Sequence, residues 1–128
     1  MAMILALARR LPQANARVKA GEWPRKEFMG TELQGKRLGI VGLGRIGSKV
    51  ARRAIAFGME VVAYDPYVGE DRARKLEVRL LPLDQLLATS DVISIHVPRT
   101  GTTERLIGPE AFAKMKDGVF LVNCARGG

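Results

Sequence analysis

The chain has 128 residues, 47% of them apolar but only 5% aromatic. That is the length of about one domain, with a core that Val, Ile, Leu and Ala must supply. No long uncharged apolar run is present, which excludes a spanning helix. The net charge of +8 sits in the first half: residues 1–53 hold 12 Lys and Arg against 3 Glu, and residues 54–128 hold 9 against 10 acids. These cations are scattered and not interleaved with aromatics, so the pattern argues against a nucleic-acid binder.

The opening MAMILALARRLPQANA ends like a signal peptide. No positive charge precedes its apolar stretch, and Arg9 and Arg10 interrupt it early, so the reading is rejected. With no targeting signal and a single cysteine, a cytosolic chain without an intrachain disulfide is expected.

Residues 3–20 predict a helix with Ile4, Leu7, Leu11 and Val18 roughly on one face. Pro12 should kink or restart it, and Gly21 should end it. GEWPRKEFMG (21–30) then reads as a polar connector, placing a boundary near residue 30. Beyond it the pattern changes. Arg37–Val41 is a short apolar strand, followed by a helix on which Ile46, Val50, Ala54 and Phe57 recur, closed by Gly58. EVVAY (60–64) is a second strand. A helix over 70–76, a weak strand over 78–80 and a helix over 82–88 follow. DVISIHV (91–97) is a fourth strand, stopped by Pro98. A helix over 109–115 and the strand VFLVN (119–123) complete the series.

Strands alternating with helices, several of them continuous apolar runs, predict a parallel sheet covered on both faces. The expected class is α/β, a Rossmann-like doubly wound sheet in the order 3-2-1-4-5, with an N-terminal connecting helix.

LGIVGLGRIG (38–47) supplies the chemistry. Alone, G-x-G-x-x-G is a weak signal. Here a strand precedes it and a helix follows. Gly42 permits the sharp turn. Gly44 lacks the side chain that would bar a pyrophosphate. Gly47 lets the helix approach the strand, and the amides from Arg45 onward point at the ligand. Asp65 ends the second strand, 18 residues after Gly47. A carboxylate there accepts ribose hydroxyls and repels a 2′-phosphate, and Pro66 and Tyr67 add no positive charge, so NAD is favoured over NADP. The competing reading is that Asp65 merely starts a turn before Pro66.

Other residues carry less. His96 either faces the cofactor or is a satisfied strand-end histidine. Cys124 reads by default as a small buried residue beside the fifth strand, a position that does not make it a nucleophile. Thr103 either touches a ligand or caps a turn over Glu104–Ile107. One histidine and one cysteine make no metal site of customary spacing, so none is expected.

Together the stretches GTELQGKRLGIVGLGRIG (30–47), YDP (64–66), HVP (96–98) and VNCARGG (122–128) resemble the D-2-hydroxyacid dehydrogenase family over essentially the whole chain. KEFMGTELQGK and NCARGG point to its phosphoglycerate-oxidising branch. The resemblance implies hydride transfer from a 2-hydroxy acid to NAD, 3-phosphoglycerate becoming 3-phosphohydroxypyruvate at the entry to serine biosynthesis. It implies that Gly42, Gly44, Arg45, Ile46 and Gly47 hold the pyrophosphate and Asp65 the ribose. His96, Val97 and Pro98 would flank the cofactor, and Cys124 and Ala125 would approach the nicotinamide through their backbone. Val97 departs slightly, since relatives can carry a hydroxyl there. Arg126 would orient the substrate carboxylate and carbonyl, a task suited to its planar fork of donors.

The family's catalytic histidine and its carboxylate partner lie downstream of the matched arginine, and its substrate lobe lies upstream of the first helix. The expectation is therefore an internal fragment, inactive alone: residues 1–30 a connecting helix and linker, residues 31–128 a C-terminally incomplete NAD-binding domain. An uncovered fifth strand should lead to self-association or to a partly disordered C-terminus, and the intact family implies a homodimer. Glyoxylate or hydroxypyruvate reductases of the same family, and a non-catalytic NAD-sensing module of the co-repressor kind, stay open as alternatives.

Overall fold

The computed structural model describes residues 1–125. Five parallel strands form one sheet in the order β3-β2-β1-β4-β5. They are β1 (Arg37–Val41), β2 (Glu60–Tyr64), β3 (Arg79–Leu80), β4 (Val92–Ile95) and β5 (Phe120–Asn123). The helices are α1 (Ala2–Arg9), α2 (Leu11–Lys19), α3 (Arg45–Ala56), α4 (Glu70–Arg74), α5 (Leu83–Thr89) and α6 (Pro109–Ala113). The expected order of strands is the observed one.

Side chains alternate strictly between the two faces, as a pleated strand requires. Leu38, Ile40, Val61, Ala63, Val92 and Val122 join one core with α1 and α3. Val41, Val62 and Ile93 join the other with Leu86 and Leu87 of α5 and Ala111 of α6. Both faces of β1 and β4 are covered, which is why their sequences read as unbroken apolar runs. Gly39 of β1 belongs to the second face. A Cβ there would stand 2.6 Å from Leu86 Cδ2 and overlap Ser90 Oγ, so the glycine lets α5 lie directly on the strand.

Two apolar stripes differ from the sequence reading. On α3 the buried residues are Gly47, Ala51 and Ala54, while Ile46 and Phe57 are exposed. Small residues face the sheet because the helix packs close to it. On the first segment Ile4 and Ala8 are buried, whereas Leu7, Leu11 and Val18 are exposed. That segment is also two helices. The break falls at Arg10, in the left-handed region at φ 50, and Pro12 sits in the first turn of α2, where its missing N–H costs nothing. Arg10 holds the break through its side chain. Nη1 donates to the Glu27 carbonyl at 3.0 Å, and the guanidinium lies 5.3 Å from the centre of the Phe28 ring. It thereby ties the break to a 3-10 turn at Arg25–Phe28 that the sequence reading left as connector.

The carboxyl ends of β1, β2 and β4 converge beside the start of α3. Between β1 and β4 the connections diverge to opposite faces. In an open parallel sheet that is where ligands bind.

Candidate functional site

Gly42 leaves β1 at φ +96, a conformation that favours glycine, and a Cβ on it would stand 2.9 Å from Val97 Cγ1. Gly47 has no room either, since a Cβ would overlap the Gly42 carbonyl oxygen and stand 3.1 Å from Ile40 Cγ2. These two glycines are explained by the chain's own packing. Gly44 is not. Its backbone, at φ −72 and ψ −156, suits any residue, and a Cβ there would meet nothing within 4 Å. Gly44 is also the N-cap of α3, with no side chain capping the helix. The first-turn amides of Arg45, Ile46 and Gly47 thus stand at an uncapped helix start with open space before it. That is the electrostatic and steric requirement of a bound pyrophosphate.

Asp65 lies across the turn, at the end of β2. Its Oδ2 accepts the Leu43 N–H at 2.8 Å, and its Oδ1 accepts the Tyr67 N–H at 2.9 Å. Asp65 therefore does start the turn at Pro66, and the carboxylate keeps further lone pairs for ribose hydroxyls. The two readings of this residue are compatible.

His96, Val97 and Pro98 form the opposite wall. His96 follows β4 and is half-buried, its Nε2 2.9 Å from the buried Ser94 hydroxyl on the same strand face. Burial pushes its pKa below the usual histidine value. The cleft wall thus carries a half-buried ring whose neutral form is favoured.

One cleft of about 410 Å³ gathers Gly42, Gly44, Asp65, Pro66, His96, Val97, Pro98 and Thr103. Tyr64, Tyr67, Thr100, Thr102 and Leu106 complete it and were not foreseen. The loop threonines could have been suspected, because they directly follow the strand end that carries His96. Thr103 does not cap a turn over Glu104–Ile107, and those residues form no helix. Its hydroxyl accepts the Thr100 N–H at 2.8 Å and donates to the Pro98 carbonyl, looking back toward β4. It ties the loop to the cleft wall.

Ala125 lines an adjoining cavity that shares Val97, Pro98, Thr103 and Leu106 with the cleft. Its N–H donates to Asn123 Oδ1 at 2.9 Å. Cys124 is exposed rather than buried as expected, because it follows the end of β5, and it lines neither cavity, its Sγ 3.6 Å from Met3 Sδ of α1. Arg126 lies outside the described residues. Among the described residues no group of three or more His, Cys, Asp or Glu gathers as for a metal.

The description "D-isomer specific 2-hydroxyacid dehydrogenase, NAD binding domain" matches residues 1–128. The chain belongs to this family. It is 56% identical over its whole length to a D-3-phosphoglycerate dehydrogenase of Archaeoglobus fulgidus, and 52% identical over 99% of its length to one of Bacillus subtilis. It spans 24% of the length of each of these relatives. Among solved structures, D-lactate dehydrogenase from Aquifex aeolicus, complexed with NAD and lactic acid, is 45% identical. The TM-score is 0.91, over 97% of this chain and 37% of that one. The apo D-lactate dehydrogenase of Escherichia coli superposes with a TM-score of 0.92 at 36% identity, over 98% of this chain and 40% of that one.

Proposed function

We propose that this chain is the NAD-holding domain of a dehydrogenase that oxidises 3-phosphoglycerate to 3-phosphohydroxypyruvate, at the entry to serine biosynthesis. Gly44 carries the cofactor part of this reading. It is a glycine that neither backbone conformation nor packing requires, at an uncapped helix start facing the cleft. The substrate part rests on relatives 50–56% identical that bear the phosphoglycerate dehydrogenase name. Solved neighbours named for D-lactate and glyoxylate favour a second reading within the family, a different 2-hydroxy acid. An assay of the domain joined to a substrate lobe, on both acids, separates the two.

When bound, NAD accepts the hydride from C2 of the hydroxy acid. The α3 amides would hold its pyrophosphate, Asp65 its ribose, and His96, Val97, Pro98 and Thr103 would wall the cleft against water. Cys124 and Ala125 would present backbone toward the nicotinamide. Arg126 would grip the substrate carboxylate bidentately. His96, the sole histidine, is held by Ser94 on the cofactor side, so the proton acceptor for the hydroxyl is not assigned to it.

We place residues 1–30 as a connecting arm and 31–128 as the dinucleotide unit, working in the cytoplasm as a homodimer. Among the described residues no helix is long and apolar enough to cross a membrane.

A fluorescence titration with NADH and NADPH tests the cofactor reading. Saturable binding that prefers NADH is expected. Absent binding, or a preference for NADPH, refutes it.

A further inference from the structure

We propose that Asp65 is a positioning residue of the phosphate-binding turn as well as a ribose acceptor, so that one carboxylate sets the affinity at both ends of the cofactor's adenosine diphosphate half. The proposal rests on the NAD reading above.

The turn from Gly42 to Gly47 is held unevenly. Its base is fixed by packing: Gly42 lies against His96 and Val97, and the Leu43 side chain is fully buried. Its outer bend at Gly44 opens to free space on the side where a Cβ would stand. Two N–H groups anchor the bend to β2. The Gly42 N–H donates to the Tyr64 carbonyl at 2.9 Å, and the Leu43 N–H donates to Asp65 Oδ2 at 2.8 Å. The first bond is between backbones. The second is, among the described residues, the one side-chain bond that reaches this turn from another strand.

The other carboxylate oxygen is also fixed, by the Tyr67 N–H at 2.9 Å. Asp65 therefore cannot rotate toward a ribose without loosening one of two amides. A ribose diol must bind a carboxylate that is already oriented, and the turn must keep its shape while the diol is bound. Removing the carboxylate strands the Leu43 N–H beside a buried side chain, and a donor so stranded drives local rearrangement.

Electrostatics gives the test its sign. Asp65 is an anion near the site of a dianion. If it only read the ribose, replacing it by a neutral residue would leave phosphate affinity equal or tighter. If it holds the turn, phosphate affinity falls despite the relieved repulsion.

The probes are NADH and an NADH analogue lacking both hydroxyls of the adenosine ribose, titrated against the chain and against Asp65→Ala. The wild type should bind both, NADH more tightly. The variant should bind the dideoxy analogue about tenfold more weakly than the wild type does, the loss of one charge-assisted hydrogen bond. Hydrogen exchange at the Leu43 amide should accelerate while the amides of Val62 and Ala63 in β2 keep their protection. Should Asp65→Ala not fold, Asp65→Asn takes the same titrations: its amide nitrogen cannot accept, so one of the two N–H bonds is lost and a smaller drop in the same direction is expected. Equal or tighter binding of the dideoxy analogue to the variant overturns the proposal and leaves the NAD reading intact. Failure of the wild type to bind either probe overturns both.

Discussion

Gly44 and Gly47 stand three residues apart and answer to different constraints. Gly44→Ala places its Cβ in open space on an ordinary backbone, so stability should move by no more than about 0.5 kcal/mol. The methyl nevertheless enters the space where a pyrophosphate would approach, and NADH affinity should fall by about tenfold. Gly47→Ala drives its Cβ into the Gly42 carbonyl oxygen and should cost about 1–3 kcal/mol of stability. Thermal melts with NADH titrations of both variants check this. A Gly44→Ala protein that binds like wild type would remove the main support for a phosphate cradle. His96 makes a further residue-level prediction. Its folded-state pKa is lowered by burial. As pH falls through about 6.5 the unfolded chain takes up the proton first. Stability should therefore decline from there until the folded-state His96 itself protonates, and then level. Urea midpoints against pH should show this step in the wild type and not in His96→Gln. Parallel curves would mean that His96 titrates normally.

Elements depend on a few residues that hold them in register. Gly39 lets α5 press on β1, and Gly39→Ala should cost about 1–3 kcal/mol, because its Cβ would overlap Leu86 and Ser90, both fully buried, the latter held by its hydrogen bond to the Leu86 carbonyl. Asp91 joins three strands. Its Oδ2 accepts the Arg37 N–H at the start of β1 at 2.8 Å, and its Oδ1 pairs with Lys116, ahead of β5, at 3.0 Å. Burial pushes the Asp91 carboxyl up, but the Arg37 N–H and Lys116 outweigh it and hold the pKa below the usual value. The stability this contributes is present at neutral pH and lost as pH drops below about 3.9 through the lower folded value. An Asp91→Asn chain should be less stable at pH 7 and show a shallower acid transition. Strand and helix identities were legible because core strands must be apolar and turns need glycine or proline. The stripes on α1 and α3 were misread because side-chain size was taken as the sign of burial, whereas close helix–sheet approach selects Gly47, Ala51 and Ala54. At the site, the glycines and Asp65 were legible from their spacing. The bond between Asp65 and Leu43 was not, since it joins residues 22 apart whose separation closes only when β1 and β2 pair. The break at Arg10 was hidden for a similar reason. Its left-handed conformation is held by contacts with Glu27 and Phe28, which no local pattern encodes.

At the scale of the whole molecule, the two sheet edges are unequal. β3 is two residues long and offers little to pair with. β5 is four residues of Phe120, Leu121, Val122 and Asn123, and among the described residues its one partner is β4. An apolar edge of that kind is a template for another chain. On the helical side Met3, Leu7 and Leu11 recur every fourth residue and remain 57%, 44% and 51% exposed, with Trp23 at 79% beyond them. Singly such residues are ordinary, but Met3 and Leu7 share a face of α1, and with Leu11 at the start of α2 they leave several large apolar side chains uncovered. The homodimer proposed above would cover these residues with a second copy of the chain. Light scattering should report a mass above that of the monomer. Leu7→Glu with Leu11→Glu changes exposed positions, so the melting temperature should hold while the mass falls if the stripe carries the contact. A mass unchanged by the double variant shifts the contact to β5, where hydrogen exchange of residues 120–123 should then slow as protein concentration rises. A wild-type monomer with those amides already protected would refute association through either surface.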